Sequence, residues 1–105
     1  MSTAAAIVLH DDSLSIAGGR GGELSIVWEE VYAVSYSEID AINYRVRYLT
    51  FDWTNGEFLE IGDHTSGWEE LLTNLWRYLP LSEKWYDSPA ITALKDGTVP
   101  ILQRE

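Results

Sequence analysis

Between Ser66 and Pro80 the residues Trp68, Leu71, Leu72, Leu75, Trp76 and Leu79 recur at i, i+3, i+4, i+7, i+8 and i+11. That spacing is one face of a helix, and it predicts an amphipathic helix over residues 66–79. Ser66 followed three residues later by Glu69 matches a capping box. Pro80 ends the helix, because it lacks an amide hydrogen and its ring clashes with the preceding turn. An apolar stripe this wide needs a surface to cover, and the residues before it supply one.

Those residues alternate with the period of strands. Ile7-Val8-Leu9 and Leu14-Ser15-Ile16 flank a turn at His10-Asp11-Asp12. Leu24, Ile26 and Trp28 alternate with Ser25 and Val27 in a third strand. A fourth runs Val31–Tyr36 with Tyr32, Val34 and Tyr36 on one side, and Glu38-Ile39-Asp40-Ala41 reads as the turn that ends it. The longest strand spans Tyr44 to Trp53. Its apolar phase shifts from Tyr44, Val46 and Tyr48 to Leu49, Phe51 and Trp53, which predicts a bulge near Tyr48.

Asn55-Gly56 is the strongest hairpin signal, and the flanking pattern selects its loop. A two-residue loop sets Phe51 opposite Glu60 and mixes the faces. The three-residue loop Thr54-Asn55-Gly56 pairs Phe51 with Leu59 and Leu49 with Ile61, keeping the apolar set together. Gly18-Gly19-Arg20-Gly21-Gly22 lacks the spacing and flanking elements of a phosphate loop and reads as a hairpin connection. Val99–Leu102 suits an edge strand, where Pro100 is tolerated.

Strands first and helix last predict an α+β domain: a curved antiparallel sheet or partial barrel of six or seven strands, capped by a C-terminal helix. With 105 residues the chain is read as a single domain, 1–105, with residues 1–6 frayed and 86–105 an irregular tail on the core. Five Trp, six Tyr and two Phe supply much of that core, since each can bury roughly 150–250 Å².

Seventeen acidic residues against seven basic ones give a net charge of −10. A field of that sign repels phosphates, which argues against nucleic acid and anionic membranes and favours a basic protein partner. There is no cysteine for disulfides or thiolate chemistry, and no basic leader or apolar span, so a cytoplasmic monomer or weak dimer is expected.

The residues expected to bind that partner are Glu29, Glu30, Glu38 and Asp40 around the fourth strand, and Glu57 and Glu60 around the hairpin. Trp53 and Tyr48, or Tyr44, serve as aromatic anchors beside them. Arg45 and Arg47 point the same way on one strand and are expected to neutralise carboxylates across the strands. His10-Asp11-Asp12 and Asp63-His64 set imidazole beside carboxylate, but a turn and a loop before the helix explain both. No Gly-x-Ser-x-Gly nucleophile elbow is present, and no cofactor, metal or catalytic residue is predicted.

Trp28-Glu29-Glu30-Val31, Leu49-Thr50-Phe51 with its Gly-centred turn, Gly67-Trp68-x-x-Leu71-x-x-x-Leu75-x-x-x-Leu79-Pro80 and Trp85 together resemble a set of small uncharacterised bacterial proteins. The resemblance covers roughly residues 23–90 and implies a pleckstrin-homology-like architecture, a bent antiparallel sheet with a C-terminal helix. It also implies the company of immunity proteins that block a cognate toxin. The family's Lys after the fourth strand has no counterpart in Ser37-Glu38-Ile39-Asp40. The function expected is a non-enzymatic acidic binding protein. A pleckstrin-homology-like module for a small ligand or peptide is the alternative, and a carboxylate-dependent hydrolase the least supported.

Overall fold

The computed structural model describes residues 6–17, 24–40, 43–53, 56–94 and 96–104. Strands β1 (Ala6–Leu9), β2 (Ser13–Ala17) and β3 (Leu24–Val27) pair antiparallel in the order β1-β2-β3. Strands β4 (Val31–Asp40), β5 (Arg45–Trp53), β6 (Glu57–Gly62) and β7 (Gly97–Gln103) form a second antiparallel sheet in the order β6-β5-β4-β7. The α+β class holds, but the seven strands of the described residues form two sheets and do not close into a barrel.

Trp28 explains the break. Its amide donates to the Asp12 carbonyl (3.0 Å) and its indole N–H to the His10 carbonyl (2.9 Å). The chain therefore leaves β3 through a single 3-10 turn, Trp28–Glu30, and starts β4 in a new sheet.

The three-residue hairpin loop is borne out. Trp53 pairs with Glu57, Phe51 with Leu59 and Leu49 with Ile61, and Gly56 takes φ +82°. Thr54 and Asn55 lie outside the described residues, as do Gly18–Gly22 and residues 1–5. Ala6, expected in the frayed start, already belongs to β1.

Three details of the strand reading are corrected. The irregularity sits between Val31 and Ala33 and not near Tyr48. Tyr32 is the extra residue there and is exposed, while Val31 and Val34 both face inward. Glu38-Ile39-Asp40 is no turn, because β4 continues through it and pairs Glu38 with Arg47 and Asp40 with Arg45. From Arg45 to Trp53 the phase never slips, so Arg45, Arg47, Leu49, Phe51 and Trp53 share the inner face.

The helix is shorter than its stripe. Helix α1 spans Trp68–Asn74 and tightens into a 3-10 turn at Leu75–Arg77. Trp68, Leu71, Leu72, Leu75 and Leu79 are buried as the periodicity requires, and Trp76 is only half-buried. The capping box does not form. The N-cap is Gly67, in the left-handed region at φ +94°, with no side-chain cap bond. The Ser66 carbonyl instead accepts the Ile7 amide at 2.9 Å, fastening the start of the helix to β1.

Nor is the helix the last element. Most of the expected irregular tail is ordered: a 3-10 turn at Trp85–Asp87, helix α2 (Pro89–Thr92), and β7 on the sheet edge beside β4. Pro100 is accommodated there next to a register shift. Trp85 returns to the core edge-on to Tyr36, with ring centroids 5.9 Å apart. One buried cluster joins Leu14 and Ile26 of the first sheet, Val34, Leu49, Phe51 and Ile61 of the second, and the helical Leu71 and Leu75.

Gly67 and Gly56 make a matched pair for testing this arrangement. A Cβ on Gly56 meets nothing within 4 Å, whereas one on Gly67 lies 3.0 Å from the Ile7 carbonyl oxygen and 3.2 Å from its Cβ. Gly56→Ala should cost only the left-handed backbone penalty, about 1–2 kcal/mol. Gly67→Ala should cost more than that, because β1 must also shift. Urea unfolding of the two variants compares them directly, and equal losses would mean that β1 is not packed on the start of the helix.

Candidate functional site

Side chains alternate across a strand, so β4 and β5 present two different surfaces. The inner one is apolar for most of its length and turns polar at one end. There Tyr36 donates its phenol hydrogen to Glu38 Oε1 at 2.8 Å, and Arg45 Nη1 lies 3.7 Å from Glu38 Oε2. Arg47 reaches the other way. Its Nε is 3.4 Å from Asp63 Oδ2, its Nη2 3.9 Å from Glu69 Oε1, and its guanidinium carbon 5.7 Å from the Trp68 ring centroid. Both arginines do neutralise carboxylates, as their spacing suggested.

This inner face is structural. Glu38 is only 6% exposed and Trp53 only 9%, so neither is available as an acid or an aromatic anchor for a partner. Both expectations fail for one reason: inward phase on β4 and β5 places them in the interior. The Arg45–Glu38 pair is half in solvent, where an ion pair contributes little. The hydrogen bond from Tyr36 satisfies Oε1 of the buried carboxylate, while Oε2 has no hydrogen-bond partner and faces the Arg45 guanidinium at ion-pair distance.

The outer face has another character. Gly62, Tyr48, Ser37 and Thr98 lie level across the four strands, from β6 to β7. The Ser37 and Thr98 hydroxyls are hydrogen-bonded at 2.9 Å. A Cβ on Gly62 would lie 2.6 Å from the His64 ring and 3.3 Å from the Tyr48 ring, so both rings use the space that the missing side chain leaves.

Around this row is a depression of about 360 Å³ lined by Ser37, Ile39, Tyr48, Glu60, Asp96 and Thr98, together with Glu38 and Gly97. Ile39 is half exposed, and Phe58, on the same face, is 64% exposed. Asp96 is positioned by the Asp40 amide, which donates to its Oδ1 at 3.3 Å. Of the described residues that line the depression, none is Lys or Arg.

The predicted acids therefore separate into groups. Glu60 and Tyr48 meet in the depression, and Asp40 is exposed at its Asp96 end. Glu29 and Glu30 sit in the 3-10 turn before β4, at the opposite end of that strand from Asp40. Asp40 is nine residue steps or roughly 30 Å from Val31, and Glu60, level with Ser35, lies nearer to the two glutamates. Glu57 lies level with Val31 through the Val31–Trp53–Glu57 pairing, three residues or roughly 10 Å from Glu60 along β6. There Arg104 Nη1 donates to the Glu29 carbonyl at 3.4 Å, bringing positive charge to those acids.

Sequence reasoning missed Ser37, Asp96 and Thr98. Asp96 and Thr98 lie in the stretch read as irregular, and only the β4–β7 pairing brings them to the site. Among the described residues, no group of three or more His, Asp or Glu comes together to hold a metal ion, and no helix is long and apolar enough to cross a membrane.

Burial foremost, then the hydrogen bond to Glu38 and its charge, push the Tyr36 phenol well above its ordinary value near 10, with Arg47 pulling the other way. The folded state thus keeps a proton that the unfolded chain releases. This stabilisation is complete below pH ~10 and declines as pH rises, by at most about 1.4 kcal/mol per pH unit. Tyr36→Phe should flatten that decline in urea midpoints measured from pH 8 to 11. At neutral pH it should cost about 1–3 kcal/mol, because a buried carboxylate oxygen loses its donor. An unchanged alkaline slope would mean that Tyr36 is not its source.

Comparison with protein-family models, curated proteins and solved structures finds no match to this chain.

Proposed function

We propose that this protein is a non-enzymatic binding domain that engages a basic protein through the outer face of its four-stranded sheet. In its most concrete form it is an immunity-type inhibitor that covers a cationic toxin. The observation that carries this is the depression itself: carboxylates of Glu60 and Asp96, an aromatic ring at Tyr48, paired hydroxyls, and no cation among its described lining residues. Exposed Ile39 and Phe58 add apolar contact area, so the face combines charge with the hydrophobic anchors that interfaces use. The net charge of −10 supports fast, salt-sensitive association with a positive surface.

A second reading has one observation in its favour. Leu81, Trp85, Ile91 and Ile101, together with Ser82, Lys84 and Ser88, line a groove of mixed polarity, about 340 Å³, beside the edge strand β7. A small ligand or peptide module, such as the pleckstrin-homology-like resemblance implies, would use a space of this kind.

The test is capture from an extract of the source organism, with the protein as bait at about 50 and 300 mM salt. The expected prey is basic, bound about tenfold or more weakly at the higher salt. Glu60→Lys/Asp96→Lys should abolish capture, whereas Glu29→Lys/Glu30→Lys at the far end should weaken it only modestly. Co-expression should then relieve any toxicity of the prey. A partner indifferent to salt and to the Glu60/Asp96 reversal would overturn the proposal.

A further inference from the structure

The two carboxylates of the depression do not converge on one point. Glu60 lies on β6 and Asp96 just before β7, the two edge strands of the sheet. Three strand spacings separate those edges, roughly 14 Å at about 4.8 Å each. Along the strands, Glu60 is level with Thr50 and Ser35, while Asp96 precedes Gly97, which is level with Glu38. That offset is on the order of 13 Å, which sets the two backbones on the order of 19 Å apart across the diagonal. Both residues line the same depression, and the Asp96 carboxylate leans in toward β4, where its Oδ1 accepts the Asp40 amide. A single cationic side chain reaches one corner or the other, never both.

An extended chain matches the span. Residues i and i+4 of a strand point the same way and lie about 13 Å apart, and Lys or Arg stems lengthen the reach at each end. Residue i+2 points the same way too and falls between the corners, over Tyr48. Resting on the basic-partner reading above, we propose that the depression receives an extended segment of the partner with cationic residues at i and i+4 and an apolar one at i+2. One cation pairs with Glu60, the other with Asp96, and the apolar residue packs on Tyr48 beside Ile39. The Ser37–Thr98 hydroxyl pair, on β4 and β7 toward the Asp96 corner, offers hydrogen bonds to the segment's backbone.

Five-residue peptides capped at both ends test this by amide chemical-shift titration of the intact protein at low salt. The probes are lysine-glycine-leucine-glycine-lysine, the same peptide with its last lysine replaced by glycine, and one with both lysines replaced. The two-lysine peptide should bind roughly two- to fivefold more tightly than the one-lysine peptide, the scale of one exposed ion pair. Its shifts should centre on Ser37, Tyr48, Glu60 and Thr98. Glu60→Gln and Asp96→Asn should each reduce its affinity to that of the one-lysine peptide. Equal affinity for the two charged peptides, or shifts centred on Glu29, Glu30 and Glu57, would overturn the inference and leave the basic-partner reading standing. If the lysine peptides shift no amide more than the uncharged one, both fall.

Discussion

The packing of Trp28 is the contact on which the two-sheet arrangement depends. Its backbone amide and indole N–H both return to the β1–β2 turn, through the Asp12 and His10 carbonyls. Its ring stacks on Tyr78 just past the helix, with centroids 5.0 Å apart and planes 16° from parallel. A single residue thus ties the first sheet, the turn into the second and the far end of the helix. The near end is tied separately, by the Ser66 carbonyl on β1 and by Arg47 on Asp63 and Glu69. Held at both ends, ten helical residues are enough to close a core that the six-residue apolar stripe alone would not orient.

Given that frame, alternation along β4 and β5 divides the chemistry. Inward residues build the core and, at its polar end, the Tyr36–Glu38–Arg45 contacts. Outward residues build the depression. Two adjacent positions, Ser37 and Glu38, therefore have opposite duties: the Ser37 hydroxyl turns outward to Thr98 on the candidate docking face, and the Glu38 carboxylate turns inward to Tyr36.

Much of this was legible in the chain. The hairpin register followed from refusing to place Phe51 opposite Glu60, and the buried helical face followed from its spacing. What escaped had physical causes. Glu38 carries the charge of a surface residue, and only its phase relative to Val34 and Tyr36 marks it as interior. That phase was not carried on to Glu38 because Glu38-Ile39-Asp40-Ala41 reads as a turn, whereas β4 runs straight through to Asp40. Asp96 and Thr98 join the site through pairing with residues about sixty positions earlier, and no local pattern announces such a partner. The acids at Glu29 and Glu30 were visible as charges, but their distance from Asp96 is a property of the folded sheet.

The pairing of a sealed inner face with an open outer one separates two kinds of selection. Ser37, Thr98 and Glu60 contribute side chains to the depression and little to the hydrophobic cluster, so their identities can drift at small cost to folding. Glu38, Tyr36 and Leu49, interleaved with them, have no such freedom. A lineage obliged to follow a changing partner could rewrite every second residue of these strands while inheriting the others intact. Among relatives, variability would then appear as a comb with teeth two residues apart.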